Sequence, residues 1–104
     1  MVKNMFGNDW PLDDMKLCVG KGWGQIIENL YAICEEHDVS VFQVKEKFGG
    51  LRFYVGGAPE EVLDIIELAE EDSFKICERC GREGRPRDNG WIKTLCDKCY
   101  KGRY

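Results

Sequence analysis

Cys77-Glu78-Arg79-Cys80 and Cys96-Asp97-Lys98-Cys99 are two Cys-x2-Cys pairs with fifteen residues between them, and no other feature restricts this 104-residue chain as much. Two residues between cysteines let both thiolates turn toward one ion, and two such pairs at this separation match a four-sulfur zinc site. Gly81 follows the first pair, where the knuckle calls for left-handed backbone. Asn89-Gly90 is a two-residue hairpin turn signal, and Trp91-Ile92-Lys93-Thr94-Leu95 reads as a strand leading into the second pair. The four ligands Cys77, Cys80, Cys96 and Cys99 complete a tetrahedron and leave no position for water, so the expected zinc ion is structural rather than catalytic. Iron in the same cage, two disulfides or a dithiol redox pair are the alternatives. A reducing compartment disfavours disulfides, and no thioredoxin-like βαβ context accompanies the pairs.

The ion matters energetically. Ordering this stretch costs roughly 1–2 kcal/mol per residue in backbone entropy. Its large apolar residues are few: Phe74, Ile76, Trp91, Ile92 and Leu95. Structural zinc contributes roughly 10–16 kcal/mol in finger peptides, so the ribbon is expected to lose its shape without metal. Charge divides at the same place. Residues 74–104 carry nine basic against four acidic side chains, a net +5, while residues 1–73 carry six against fifteen, a net −9. The expected organisation is therefore an acidic α+β lobe over 1–73 and a basic zinc-ribbon lobe over 74–104. The asymmetry fits lobes with different partners, or lobes that attract one another.

Within the first lobe, residues 1–21 read as irregular, with a turn signal at Gly7-Asn8-Asp9-Trp10-Pro11. Gly20-Lys21-Gly22-Trp23 then leads into a helix over about 23–37, on which Trp23, Ile26, Ile27, Leu30, Ile33 and Cys34 share a stripe. Glycines before a helix sometimes cradle phosphate, but the P-loop ending is missing, so a tight turn that seats Trp23 is the expected role. His37 falls in the last turn as a capping or surface residue. Cys34 is expected in the core; Cys18 has no assignment. After Gly56-Gly57-Ala58, Pro59 opens a second helix with Val62, Ile65, Ile66 and Ala69 as its core stripe, helped by Leu63 and Leu68. Its Glu67, Glu70, Glu71 and Asp72 read as the solvated side.

Between the helices, Val39 to Val55 reads as a β-hairpin turning at Gly49-Gly50, which places Phe48 opposite Leu51, Lys47 opposite Arg52 and Lys45 opposite Tyr54. A short helix opened by the capping box Ser40-x-x-Gln43 is the rival reading. In the hairpin, Lys45, Lys47, Arg52 and Tyr54 share a face. Like charges in opposition are destabilising, so either acids of the flanking helices or an external anion is expected to compensate them.

Gly20-x-Gly-Trp23, the run Gln43-Val-Lys-Glu-Lys-Phe-Gly-Gly-Leu-Arg-Phe-Tyr54, an acidic helix and the ribbon ending Gly90-Trp91-Ile92-Lys93-Thr94-Leu95-Cys96-Asp97 together resemble a family of small bacteriophage and prophage proteins. The resemblance spans about residues 18–99. It implies a viral or prophage setting in bacteria and supplies no activity. A catalytic role is disfavoured: the chain has one His, two Ser and one Thr, and lacks the metalloprotease, hydrolase-elbow, P-loop and dinucleotide motifs. No apolar run reaches the ~20 residues of a membrane span, and the N-terminus lacks a signal core, so a cytoplasmic protein is expected. The favoured reading is a non-enzymatic binding protein that docks on a host protein and modulates or inhibits it. Candidate contacts are Lys45, Lys47, Arg52, Tyr54, Arg82, Arg85, Arg87 and Trp91. The alternative is a nucleic-acid-binding ribbon using Arg79, Arg82, Arg85, Arg87 and Lys93 with Trp91 and Tyr100. Four thiolates around zinc add −2 and leave the ribbon near +3, which weakens that alternative.

Overall fold

The computed structural model describes residues 1–102. Arg103, counted above among the basic residues of the ribbon, lies outside the described residues. The order is α1 (Leu12–Lys16), a 3-10 turn (Lys21–Trp23), α2 (Gly24–Glu36), β1 (Ser40–Lys47), β2 (Gly50–Gly56), α3 (Glu60–Ser73), β3 (Arg85–Asp88), β4 (Ile92–Leu95) and α4 (Asp97–Gly102). The fold is α+β: helices packed on the antiparallel hairpin β1–β2, followed by a second hairpin, β3–β4, with the four cysteines gathered beside it. Among the described residues no helix is long and apolar enough to cross a membrane.

Of the stripe expected on α2, Trp23, Ile27, Leu30 and Cys34 enter the core, Ile26 and Ile33 are only half-buried, and Tyr31 is buried in addition. Burial pushes the Cys34 thiol up to about 11, so it packs as a small apolar side chain. His37 follows the helix, its Nδ1 3.0 Å from the Ile33 carbonyl and its Nε2 3.4 Å from Glu61 at the start of α3. That contact, together with Gly22 and Ile76 lining one groove at the opposite end, makes α2 and α3 antiparallel. The start of the chain is more ordered than its composition suggests. Met15 of α1 is fully buried, Lys3 bridges Asp9, and the Val41 amide donates to the Lys3 carbonyl at 2.9 Å.

Helix α3 departs from expectation. Val62 and Ile66 enter the core, but Leu63, Ile65 and Leu68 are exposed, Leu68 by 60%. One helix has a single inward face, and the 3.6-residue repeat places 62, 66, 69 and 73 on it, leaving 65 and 68 to one side.

The hairpin is a strand pair as expected, not a capping-box helix, but its register is shifted. Lys47 pairs with Gly50, Lys45 with Arg52, Val44 with Phe53 and Gln43 with Tyr54. The turn is Phe48-Gly49, both at positive φ (54° and 85°), rather than Gly49-Gly50. Lys47 therefore does not oppose Arg52. Because the slip is two residues, the grouping of Lys45, Lys47, Arg52 and Tyr54 on one face survives. The like-charge opposition moves to Lys45 and Arg52, and the Lys45 ammonium lies over the Tyr54 ring at 5.8 Å.

Antiparallel pairing leaves alternate N–H groups of β2 facing away from β1. Helix α3 satisfies them. The Leu51 amide donates to Ser73 Oγ at 2.9 Å, and the Phe53 amide donates to Glu70 Oε2 at 2.8 Å. Glu70 is thus a sheet-edge partner and not part of a purely solvated side. Ser73→Ala would leave the Leu51 N–H buried and unpaired, a cost of about 1–3 kcal/mol. The expected result is a lower urea midpoint at unchanged m-value.

Candidate metal centre

The first Cys-x2-Cys pair sits in a knuckle closed by backbone bonds. The Cys77 amide donates to the Arg82 carbonyl at 2.7 Å, and the Gly81 amide donates to the Cys77 carbonyl at 2.9 Å. Gly81 has φ 85°, the left-handed conformation its position demands. The second pair straddles the start of α4, where the Cys99 amide donates to the Cys96 sulfur at 3.3 Å. The β3–β4 hairpin joins the pairs, with Arg85 opposite Leu95 and Asp88 opposite Ile92. Its connection is three residues, Asn89-Gly90-Trp91, not two, so Trp91 belongs to the loop and not to the strand.

These constraints bring the sulfurs of Cys77, Cys80, Cys96 and Cys99 within 4.8 Å of one another, with Cys80 and Cys96 3.6 Å apart. A tetrahedral ion with ~2.3 Å metal–sulfur bonds sets sulfurs ~3.8 Å apart, so the four residues are positioned to hold a metal ion. The thiols themselves point the same way. Burial opposes ionisation of Cys77, but the backbone amides of Cys96, Cys80 and Arg79 outweigh it and bring the thiol down to about 6. A hydrogen bond with the Cys96 side chain, then burial, pushes Cys99 up to about 12. Four crowded thiols cannot all ionise by themselves; a cation removes that conflict. With all four protein ligands engaged, such an ion supplies shape and no catalytic position.

The cage also joins the two parts of the chain. The Gly22 amide donates to the Glu78 carbonyl at 2.9 Å, and Trp23 Nε1 donates to the Ile76 carbonyl at 2.8 Å. A Cβ on Gly22 would collide with the Cys77 carbonyl oxygen and stand 2.6 Å from the Gly81 nitrogen. The glycines before α2 therefore exist to lie flat against the first knuckle, and the turn that seats Trp23 is also a docking point. A second contact is made by the β1–β2 turn: Thr94 Oγ1 donates to the Gly49 carbonyl at 2.6 Å, and a Cβ on Gly50 would enter the Phe74 ring.

Beside these contacts lies an ion triad that sequence reasoning missed. Lys93 Nζ is 3.1 Å from Glu46 Oε1 and 3.3 Å from Glu78 Oε1, while Glu46 Oε2 accepts from the Gly49 amide at 2.7 Å. Burial, only partly offset by Lys93, raises the Glu78 pKa, and its Oε2 is buried without a hydrogen-bond partner. No local pattern marks residues 46, 78 and 93 as neighbours. Lys93→Met would leave the Glu78 carboxylate without its cation, a loss of about 2–3 kcal/mol. Adding Glu78→Gln should restore part of that loss in a denaturation double-mutant cycle.

The residues nominated for binding fall in several places, of which one recess gathers Arg87 and Trp91 with Arg79, Lys93 and Tyr100. Arg87 is turned inward, its side chain 11% exposed, with bonds to the Leu95 carbonyl (3.1 Å) and Asp97 (2.6 Å) and its guanidinium 4.6 Å from the Tyr100 ring. It braces the ribbon, as Lys93 does. Arg82 and Arg85 are exposed. Trp91 lines a recess with Lys47 and Phe48, whereas Arg82 lines a separate one with Lys21, Arg79 and Lys98. Lys45, Arg52 and Tyr54 stay together on the outer hairpin face. Compared with models of protein families, with characterised proteins and with solved structures, the chain matches none.

Proposed function

We propose that this chain is a non-enzymatic binding protein whose ribbon is held by one zinc ion, and that it docks on a protein complex of a bacterial host, in a phage or prophage setting, to modulate or inhibit it. A complex of the host's antiviral defence is the kind of target that setting favours. The observation that carries the reading is the place of the cysteine cage. It is the joint on which the glycine turn before α2 rests, and its four sulfurs lie where all of them can ligate one ion, which would then serve shape. Zinc is the ion of choice for a four-thiolate tetrahedron with no redox task. Large apolar side chains stand outside the core, among them Phe48 (64% exposed) and Trp91 (69%), and exposed apolar surface of this kind favours a protein partner. The cytoplasm of the host is the compartment that keeps the four thiols reduced for metal.

One observation favours a second reading. Lys21, Arg79, Arg82 and Lys98 surround a recess of ≈ 460 Å³ beside Cys80 and Cys99, a basic patch suited to phosphates. The −9 first lobe works against a polyanion there. Affinity capture from a host extract, with and without nuclease, separates the two. The docking reading expects one protein complex retained after nuclease treatment. Loss of all capture after nuclease, with binding that falls steeply in salt, would give the ribbon to nucleic acid instead.

A further inference from the structure

We propose that the open groove between α2 and α3 binds a basic amphipathic helix of the partner protein; this rests on the docking reading above and adds where the contact is made and with what. The groove encloses ≈ 790 Å³, and Ile26, Ile33, Ile65, Leu68, Ala69 and Ile76 supply its apolar surface. Its walls are antiparallel helices of 13 and 14 residues, a trough about 20 Å long that accommodates nearly four helical turns. A solvated helix ordinarily carries polar side chains where α3 carries Ile65 and Leu68.

Charge decides the occupant. The two helices carry ten carboxylates, three on α2 and seven on α3, and not one Lys or Arg. Four of the ten are engaged within the chain: Glu28 with Lys16, Glu35 with the N-terminal amine, Glu61 with the His37 ring and Glu70 with the Phe53 amide. Helical spacing sets Asp64, Glu71 and Asp72 beside Leu68, at i−4, i+3 and i+4, and Glu36 beside Ile33 at i+3. Asp72 lines the groove itself, with Gln25 and Asn29 on the α2 side, and an apolar floor between two helices that carry acids and no base complements a helix whose Leu or Ile stripe is flanked by Lys and Arg. A second copy of this chain seated face to face would set carboxylates against carboxylates, so it is not the expected occupant.

The probe is a synthetic helix of about eighteen residues, long enough to fill the trough, with Leu at i, i+3, i+4 and i+7 and Lys on both flanks. Controls are its scramble of identical composition and a version with Glu flanks. The expected result is saturable one-to-one binding of the ordered basic peptide, at least about tenfold weaker for the scramble and absent for the Glu version. Leu68→Asp lies at an exposed position and should keep the native melting temperature while weakening binding about tenfold or more. Asp64→Lys with Glu71→Lys should weaken binding and flatten its dependence on salt. Equal binding of the scramble, unchanged affinity in both variants, or a dimer that dissociates on Leu68→Asp would overturn the proposal. In capture from host extract, a Leu68→Asp protein that still retains the complex removes the groove but leaves the docking reading standing. A wild-type protein that captures no protein removes both.

Discussion

Stripping metal from the purified protein with a strong chelator is expected to melt the ribbon and to loosen the first lobe with it. The sulfurs of Cys77, Cys80, Cys96 and Cys99 crowd within 4.8 Å, and without a cation they must keep protons or repel. The hairpin they join is four residues per strand, too short to persist alone. With roughly 10–16 kcal/mol of metal–thiolate free energy removed, the segment cannot offset its entropy. The effect reaches Trp23, because its indole N–H bonds the Ile76 carbonyl next to the first knuckle. In a background with Trp10→Phe and Trp91→Phe, chelation should shift Trp23 emission to the red and lower the melting temperature by about 20 °C or more. Readdition of zinc in a reducing buffer should reverse both changes. Unaltered emission and melting after complete removal would mean that the cysteines do not bear this load.

Gly22→Ala is expected to have the second largest effect, although it adds one methyl group. That methyl would meet the Cys77 carbonyl oxygen, the Gly81 nitrogen at 2.6 Å and the Glu78 carbonyl carbon at 2.7 Å. All three are backbone atoms of a knuckle pinned at both ends, so no side-chain rotation relieves the clash. Overpacking usually costs about 1–3 kcal/mol, and a rigid backbone neighbour belongs at or above the top of that range. A fall in melting temperature of about 12 °C or more follows for a domain of this size. Gly24→Ala two residues on is the matched control. Its methyl would meet only the end of the Lys16 side chain at 3.9 Å, and it opens α2 with helical backbone angles that alanine adopts without strain, a change that stabilises by roughly 0.4–1 kcal/mol through the unfolded chain. The two substitutions should therefore move stability in opposite directions. A Gly22→Ala protein as stable as wild type would mean that the first lobe does not rest on the knuckle.

The four-cysteine centre was legible because its constraint is local: two residues between ligands, and a glycine at the left-handed position after the first pair. Helix α2 was legible for the same reason, since its apolar stripe repeats over 13 residues. The hairpin was half legible. Two adjacent glycines announce a turn, but they do not say which residue pair occupies its corners. The chain turns at Phe48-Gly49, where Gly49 meets β4 and Gly50 lies under the Phe74 ring. Both contacts come from residues more than twenty positions away. Phe48 accepts a positive φ so that this packing is possible, and a local turn preference cannot reveal that trade. The glycines before α2 pose the same difficulty more sharply, since their neighbours are residues 77–81. Leu63, Ile65 and Leu68 were misassigned to the core because α3 is apolar on more than one side, and an excess of apolar residues does not say which of them the chain itself buries.

The account stands on one coordination sphere, and X-ray absorption at the zinc edge reads it directly. The expected result, on protein purified under reducing conditions, is one zinc per chain with a shell of four sulfurs at about 2.3 Å and no lighter scatterer. A shell containing oxygen or nitrogen, or a chain that carries no metal yet gives a dispersed, folded amide spectrum for residues 77–99, would contradict it.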